Sequence, residues 1–429
     1  MPYGTIALIF AGVLFIGMPM GMSLVGAAIL PSLFNPRFVY NLEAVIRTLS
    51  VSLDSFLLLA IPLFMFSGVI MARGGISEKL FNIFAFFFGT ITGGFPFAVI
   101  LTCLFYGAIS GSGPATTAAV GSMTIPYLIK RGYDPVFSAS IVAVAGGLGI
   151  IIPPSIPMIA YSSIASVSVA DMFIGGVLPG ILIAVCLTAY SWYYCRTHGE
   201  DKAELRRHCR EIRNLGLFRL LKDGIWAILA PVIILGSIYG GVATPTEAAS
   251  LSVYYAIFVS MFVYKTLKWG EFMSVLRETV KTYAPILFVI ACAMCLSRVM
   301  TRLQVARAIE EMVLAHLSSK MVILLLVNLL LLLAGMIMDP IPAMMIFTPI
   351  IMPCVDRFGM SHVHLGIIMV CNLAVGFVTP PLGVNLFVTS NMTGIPVLKL
   401  ARFSIPFIFS FIAALLLITF VPGVSLILT

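Results

Sequence analysis

Gly149-Ile-Ile-Ile-Pro-Pro154 and Gly376-Phe-Val-Thr-Pro-Pro381 lie 227 residues apart, and their reading decides how this chain folds. Each places a double proline inside an apolar run. Proline removes an amide donor and clashes with the preceding helical turn, so two in succession unwind a helix. The same shift of 227 carries Pro126 onto Pro353, Gly132 onto Gly359 and Pro179 onto Pro406, with Lys130 on Arg357 and Ser163 on Ser390 beside them. Residues 1–195 and 224–429 therefore read as duplicate halves, separated by a segment over 196–223.

Composition says what surrounds the halves. Of 429 residues 60% are hydrophobic and 10% charged, against about a quarter charged in a soluble domain. Charge this sparse cannot coat a globule, whereas in lipid apolar side chains need no polar cover. Runs such as Met321–Met338 and Phe403–Val421 reach the roughly 20 residues that a spanning helix needs. The formal charge of +8 is not spread over a nucleic-acid face: Arg196, Lys202, Arg206, Arg207, Arg210, Arg213, Arg219 and Lys222 sit in the central segment. Lysine and arginine mark the cytoplasmic side, which puts 196–223 there. Trp192, Trp226 and Trp269 stand beside basic residues at ends of apolar runs, as an interfacial belt requires. No basic residue precedes Arg37, so the start reads as an uncleaved first helix that begins outside rather than a signal peptide. Cys292 and Cys295 form a CxxC within an apolar run and read as packing.

Each half carries a second interruption before its double proline. The first is Ser110-Gly-Ser-Gly-Pro114 and the second Gly335-Met-Ile-Met-Asp-Pro-Ile-Pro342. Short polar turns, Lys130–Asp134 and Asp356–Ser361, then lead to the broken segments. The apolar arms around each interruption are short for crossing a bilayer twice. They read as re-entrant hairpins over about 93–131 and 320–357, followed by broken helices over about 135–165 and 362–392. Unwound backbone at membrane depth is tolerated only where it lines protein or a water cavity, and paired broken segments in two halves point to a central transport site. Ser110, Ser112 and Asp339 fall at the tips. Asp339, an acid inside an apolar region, is a functional candidate. Thr244-Pro-Thr-Glu247 fits a capping box with proline at the first helical position. Asp54 and Asp171 read as caps or first-turn acids, Asn372 as a bridge between helices, and His362 and His364 as solvated residues of a polar turn.

Three rival classes lack their signatures. HExxH and GxSxG are absent, which removes the metalloprotease and serine-elbow enzymes. No GxxxxGK[ST] supports an ATP-driven pump. A channel filter usually repeats around a symmetry axis, whereas two hairpins and two broken helices in one chain suit an occluded site.

Four pieces resemble the large membrane (M-type) subunit of tripartite ATP-independent periplasmic (TRAP) transporters. They are Ser110-Gly-Ser-Gly-Pro-Ala-Thr-Thr-Ala-Ala-Val-Gly121, Ile151-Ile-Pro-Pro-Ser-Ile-Pro157, Gly240-Gly-Val-Ala-Thr-Pro-Thr-Glu-Ala248 and Gly376-Phe-Val-Thr-Pro-Pro-Leu-Gly383. The likeness spans nearly the whole chain. It implies an all-α polytopic inner-membrane protein of two inverted-topology repeats, an elevator-type transporter that imports organic acid anions of the C4-dicarboxylate or sialic-acid type with sodium. It also implies two partners, a separate small membrane subunit and a periplasmic binding protein. A stand-alone sodium-coupled anion transporter of similar fold is the alternative. Sodium takes oxygen ligands, which helix breaks supply as carbonyls. Carried over by motif, the first sodium site comprises Ser110, Ser112, Gly149, Ile151 and Pro154; the repeat implies a second at Gly335, Gly376, Val378, Thr379 and Pro381. Ser155, Thr379, Asn385 and Asp339 are the substrate candidates.

Overall fold

The computed structural model describes residues 2–34, 42–200, 216–316 and 319–429. Among them there are helices and no strands. Seven helices are long and apolar enough to cross a membrane: Phe56–Arg73, Val169–His198, Leu220–Tyr239, Pro245–Val263, Trp269–Arg302, Lys320–Ile337 and Val397–Phe420. No more than half of each apolar window is buried, so the remaining apolar surface faces lipid. Residues 201–215 of the basic segment lie outside the described residues.

Prolines start helices as well as break them. Pro114, Pro135, Pro157, Pro245 and Pro340 all occupy first turns, where no amide partner is lost. Asp134 caps the helix that Pro135 opens, accepting from Phe137 N at 2.8 Å. Thr244 and Glu247 form the expected capping box. The stretches around Pro19 and Thr244 are each two helices, Pro2–Phe15 with Met20–Phe34 and Leu217–Tyr239 with Pro245–Phe258.

The first hairpin consists of Gly94–Ser110 and Gly113–Ile129, the second of Lys320–Ile337 and Pro340–Asp356. The first broken helix runs Pro135–Ala145, a 3-10 turn Gly146–Ile150, then Ile156–Ala165. The second runs His362–Gly376, then Val384–Thr393. Second arms open at Gly113 and Pro340 and broken helices at Pro135 and His362, in both cases the 227-residue offset that aligns the prolines.

Packing exchanges partners between halves. Helix Ala60–Arg73 packs on Pro245–Phe258, and Met20–Phe34 on Trp269–Arg302. Closer to the centre, Gly113–Ile129 packs on Val384–Thr393 and Pro340–Asp356 on Ile156–Ala165, so each hairpin holds the far piece of the other half's broken helix. Tyr161, near the end of the first broken helix, donates to the His362 carbonyl at the start of the second at 2.7 Å.

One expectation needs correcting. His364 is not a solvated turn residue: it is 2% exposed, with Nε2 3.3 Å from the Thr419 carbonyl. It sits one turn inside helix His362–Gly376, on the face covered by Val397–Phe420. His362 remains at the surface, paired with Asp356 at 2.6 Å.

Candidate functional site

Small residues let each hairpin reach its helix break. A Cβ on Gly107 would come within 2.7 Å of Gly149 Cα. One on Gly149 would run into the Thr116 hydroxyl and lie 2.7 Å from the Ser112 carbonyl. In the second half a Cβ on Gly376 would overlap the Gly335 carbonyl and lie 2.7 Å from Gly335 Cα. Backbone hydrogen bonds close both junctions: Ile156 N donates to Gly111 O at 3.4 Å, and Leu382 N to Met336 O at 3.0 Å. Gly111 has a φ of +62°, a left-handed turn that glycine enters without strain. Both double prolines have a cis peptide between them.

The first tip gathers oxygens. Ser110 Oγ is 2.8 Å from Thr116 Oγ1, and Thr116 donates to the Ser112 carbonyl at 2.8 Å. The Pro154 carbonyl lies 2.8 Å from where a Gly111 Cβ would stand. Ser110, Ser112, Gly149 and Pro154 are thus together. Ile151 is not brought into that group: its carbonyl faces Gly176 of helix Val169–His198. In the second set Gly335 and Gly376 are in contact. The Gly376 carbonyl accepts from Thr379 N at 3.2 Å, and Val378 N turns back to Val375 O. Pro381 is exposed.

The substrate candidates divide. Ser155 is buried; its hydroxyl donates to Ile150 O at 2.5 Å and accepts from Met158 N, so it caps the helix that follows it. Thr379 Oγ1 is committed to Val375 O at 2.8 Å. Asn385 bridges the halves, donating to Ala143 O at 2.9 Å, and its Oδ1 is buried without a hydrogen-bond partner among the described residues. Asp339 opens helix Pro340–Asp356 without bonding its amides, and lines a cavity.

That cavity, of about 310 Å³, is where the four interruptions meet. Gly111, Ser112 and Pro114 come from the first tip, Asp339 to Pro342 from the second, Ile150, Ile156 and Pro157 from the first break, and Phe377 and Val384 from the second. The long helix Trp269–Arg302 closes one side with Thr282, Pro285, Ile286 and Val289, and Met65 adds to it. Thr116, Thr282 and Phe377 went unmarked in the sequence. Thr116 follows the first hairpin interruption by one turn, a position its Ala-Thr-Thr-Ala context could have indicated. Thr282 has no local signal beyond nearby Pro285.

The chain matches the family described as the tripartite ATP-independent periplasmic transporter, DctM component, over residues 7–424. It is 41% identical to the isethionate TRAP transporter permease of Oleidesulfovibrio alaskensis over 97% of this chain, and spans 65% of that protein's length. It is 39% identical to the C4-dicarboxylate TRAP transporter large permease of Pseudomonas aeruginosa, covering 92% of this chain and 90% of that one. The crystal structure of the YdaH transporter of Alcanivorax borkumensis shares the fold, with a TM-score of 0.60 over 90% of each chain at 15% identity. Both relatives are named permeases, in agreement with a carrier rather than an enzyme. The chain belongs to the DctM family, the large membrane component of the tripartite ATP-independent periplasmic transporters.

Proposed function

We propose that this multi-pass inner-membrane protein imports an organic acid anion together with sodium, as the transporting subunit of a complex. The observation that carries this reading is the convergence of both hairpin tips and both helix breaks on one cavity. Broken helices offer unpaired carbonyls to cations and helix starts to an anion. We assign one sodium ion to each junction, the first held by Ser110, Ser112, Gly149 and Pro154, with the Ile151 carbonyl turned away toward Gly176, and the second by Gly335, Gly376, Val378, Thr379 and Pro381. Residues 1–195 and 224–429 act as inverted repeats, with 196–223 as a cytoplasmic loop. The exchange of partners between halves supports that arrangement. Three hairpin arms of 17 residues are about 26 Å long at 1.5 Å per residue, short of a 30 Å hydrocarbon core, which suits re-entry; the fourth, Lys320–Ile337, has the 18 residues and the apolarity to cross. In an elevator stroke the hairpins and broken helices move as one body against Met20–Phe34, Ala60–Arg73, Pro245–Phe258 and Trp269–Arg302.

A small membrane subunit and a periplasmic binding protein complete the machine, in keeping with the family's tripartite name. The cavity is lined mainly by neutral side chains and has modest means to capture a substrate from dilute solution. A separate receptor would supply recognition, and its docking the differential binding energy that shifts conformations. The named substrates of the relatives, isethionate and C4-dicarboxylates, set the range of acids to test.

Proteoliposomes holding this chain and the small subunit, given binding protein and an inward sodium gradient, are expected to accumulate acid, and the chain alone to show little uptake. Uptake independent of sodium sinks the coupling. Robust sodium-driven uptake by the purified chain alone moves the reading to a stand-alone transporter.

A further inference from the structure

The central cavity is mostly apolar, and its polar groups are few enough to count. Among the described residues that line it, only Ser112, Thr282 and Asp339 have a hydroxyl or carboxylate, and no lysine or arginine is present. Thr282 already gives its proton to the Glu278 carbonyl at 2.9 Å. Ser112 makes no cap bond to its own helix, so its hydroxyl is available to a ligand. Against these stand Met65, Ile156, Ile286, Val289, Ile341 and Phe377.

We infer that the cavity takes a compact acid with a single carboxylate or sulfonate and an apolar body, in preference to a dicarboxylate or a polyhydroxylated sugar acid. This rests on the sodium-coupled reading of the same site. A monoanion can set its one charged group toward the hairpin tips and its body against the apolar walls. A dianion must also place a second carboxylate in a mostly apolar space beside Asp339, with no lysine or arginine lining residue to meet it. A sugar acid fails for a different reason. Each hydroxyl that loses water without gaining a partner weakens binding on the order of tenfold, and three polar side chains cannot serve four or five of them. An apolar body gains from the same walls, roughly fourfold for each methylene buried. The volume of about 310 Å³ lies at the small end of ligand sites, about 300–1,000 Å³, which favours a short branched chain.

The test is ligand-dependent thermal stabilisation of the purified full-length chain in sodium, with 4-methyl-2-oxopentanoate, succinate and N-acetylneuraminate as probes. The branched monoacid is expected to stabilise at a concentration at least tenfold lower than either of the others, and only in sodium. In Asp339→Asn the disadvantage of succinate should shrink at least threefold, while that of N-acetylneuraminate stays. Succinate or N-acetylneuraminate binding as well as the branched acid overturns the inference. So does stabilisation by sodium with no response to any probe, which leaves the sodium reading standing. Failure of the transport reading itself would appear elsewhere, as sodium-independent uptake by the reconstituted complex. Should Asp339→Asn not fold, the order of the three probes on the wild type still decides.

Discussion

Residues 151–155 of the first helix break are all buried, whereas in the second Thr379 and Pro380 are partly exposed and Pro381 and Leu382 lie open. The hairpins differ in step. The first is held at its tip, where Ser110, Ser112 and Thr116 share hydrogen bonds. The second is held midway along its first arm: Asn372 donates to Asn328 Oδ1 at 2.7 Å, and Thr419 approaches the same oxygen at 3.3 Å. The three positions that correspond to Asn328, Asn372 and Thr419 in the first half are Leu101, Ala145 and Trp192. Segments 227 residues apart have therefore been fastened differently.

The largest expected effect comes from what the halves share. Gly376→Ala places a methyl group inside the Gly335 backbone, which no rotamer change relieves. Overpacking typically costs 1–3 kcal/mol and more where backbone must move, so about 3 kcal/mol or above is expected, read as loss of monodisperse protein in detergent. Gly149→Ala meets the movable Thr116 side chain as well as Ser112 backbone and should be somewhat milder. Wild-type stability in Gly376→Ala breaks the picture of backbone contact at that junction.

The fastening itself is next. Asn372→Leu leaves buried Asn328 with a lost partner, a cost of about 1–3 kcal/mol measurable by thermal unfolding. Asn328→Leu combined with Asn372→Ala copies the first half and should recover part of that loss. A double-mutant cycle with no coupling between the two positions would remove the distinction between the hairpins.

The smallest effect separates the two proposed ion sites. Ser110→Ala should raise the sodium concentration for half-maximal uptake severalfold, because its hydroxyl belongs to the tip network. Thr379→Ala should raise it less than twofold, since that hydroxyl is already spent on Val375 O and its backbone oxygen survives. Equal shifts would show that the two breaks hold sodium alike.

The breaks, the hairpin interruptions and their offset could be read from the chain because glycine and proline act locally, through φ, ψ and a missing amide. The proximity of tips and breaks followed from that reading. Thr116 and Thr282 could not be found in the same way, since a hydroxyl inside a helix looks alike whether it faces a cavity or its own carbonyl ladder. His364 was misplaced because two residues separate it from a polar turn, while helical rotation carries it under Val397–Phe420. Nor does a repeat state which half its helices pack against; that is settled by surface shape, as where Gly21 admits Phe288 of the other half.

The exchange of partners between halves also sets a timetable for biogenesis. Helix Ala60–Arg73 is synthesised about 170 residues before its partner Pro245–Phe258, a wait of roughly 10–35 s at 5–20 residues per second. The face that waits, including Ile61, Phe64, Met65 and Gly68, is one that lipid can cover in the meantime. Asn328 and Asn372 need no such delay, being 44 residues apart. Where hydrogen bonds do join the halves, the donor is often on the later segment: Thr246 to Phe56 O, Asn385 to Ala143 O, Ser410 to Cys186 O. The earlier partner is then a backbone carbonyl in or at the edge of a helix; Tyr161, which donates to His362 O, and Arg73, which donates to Ser274 and Glu278, are exceptions. For those pairs a nascent first half could reside in the bilayer without a stranded side-chain donor until the second half arrives.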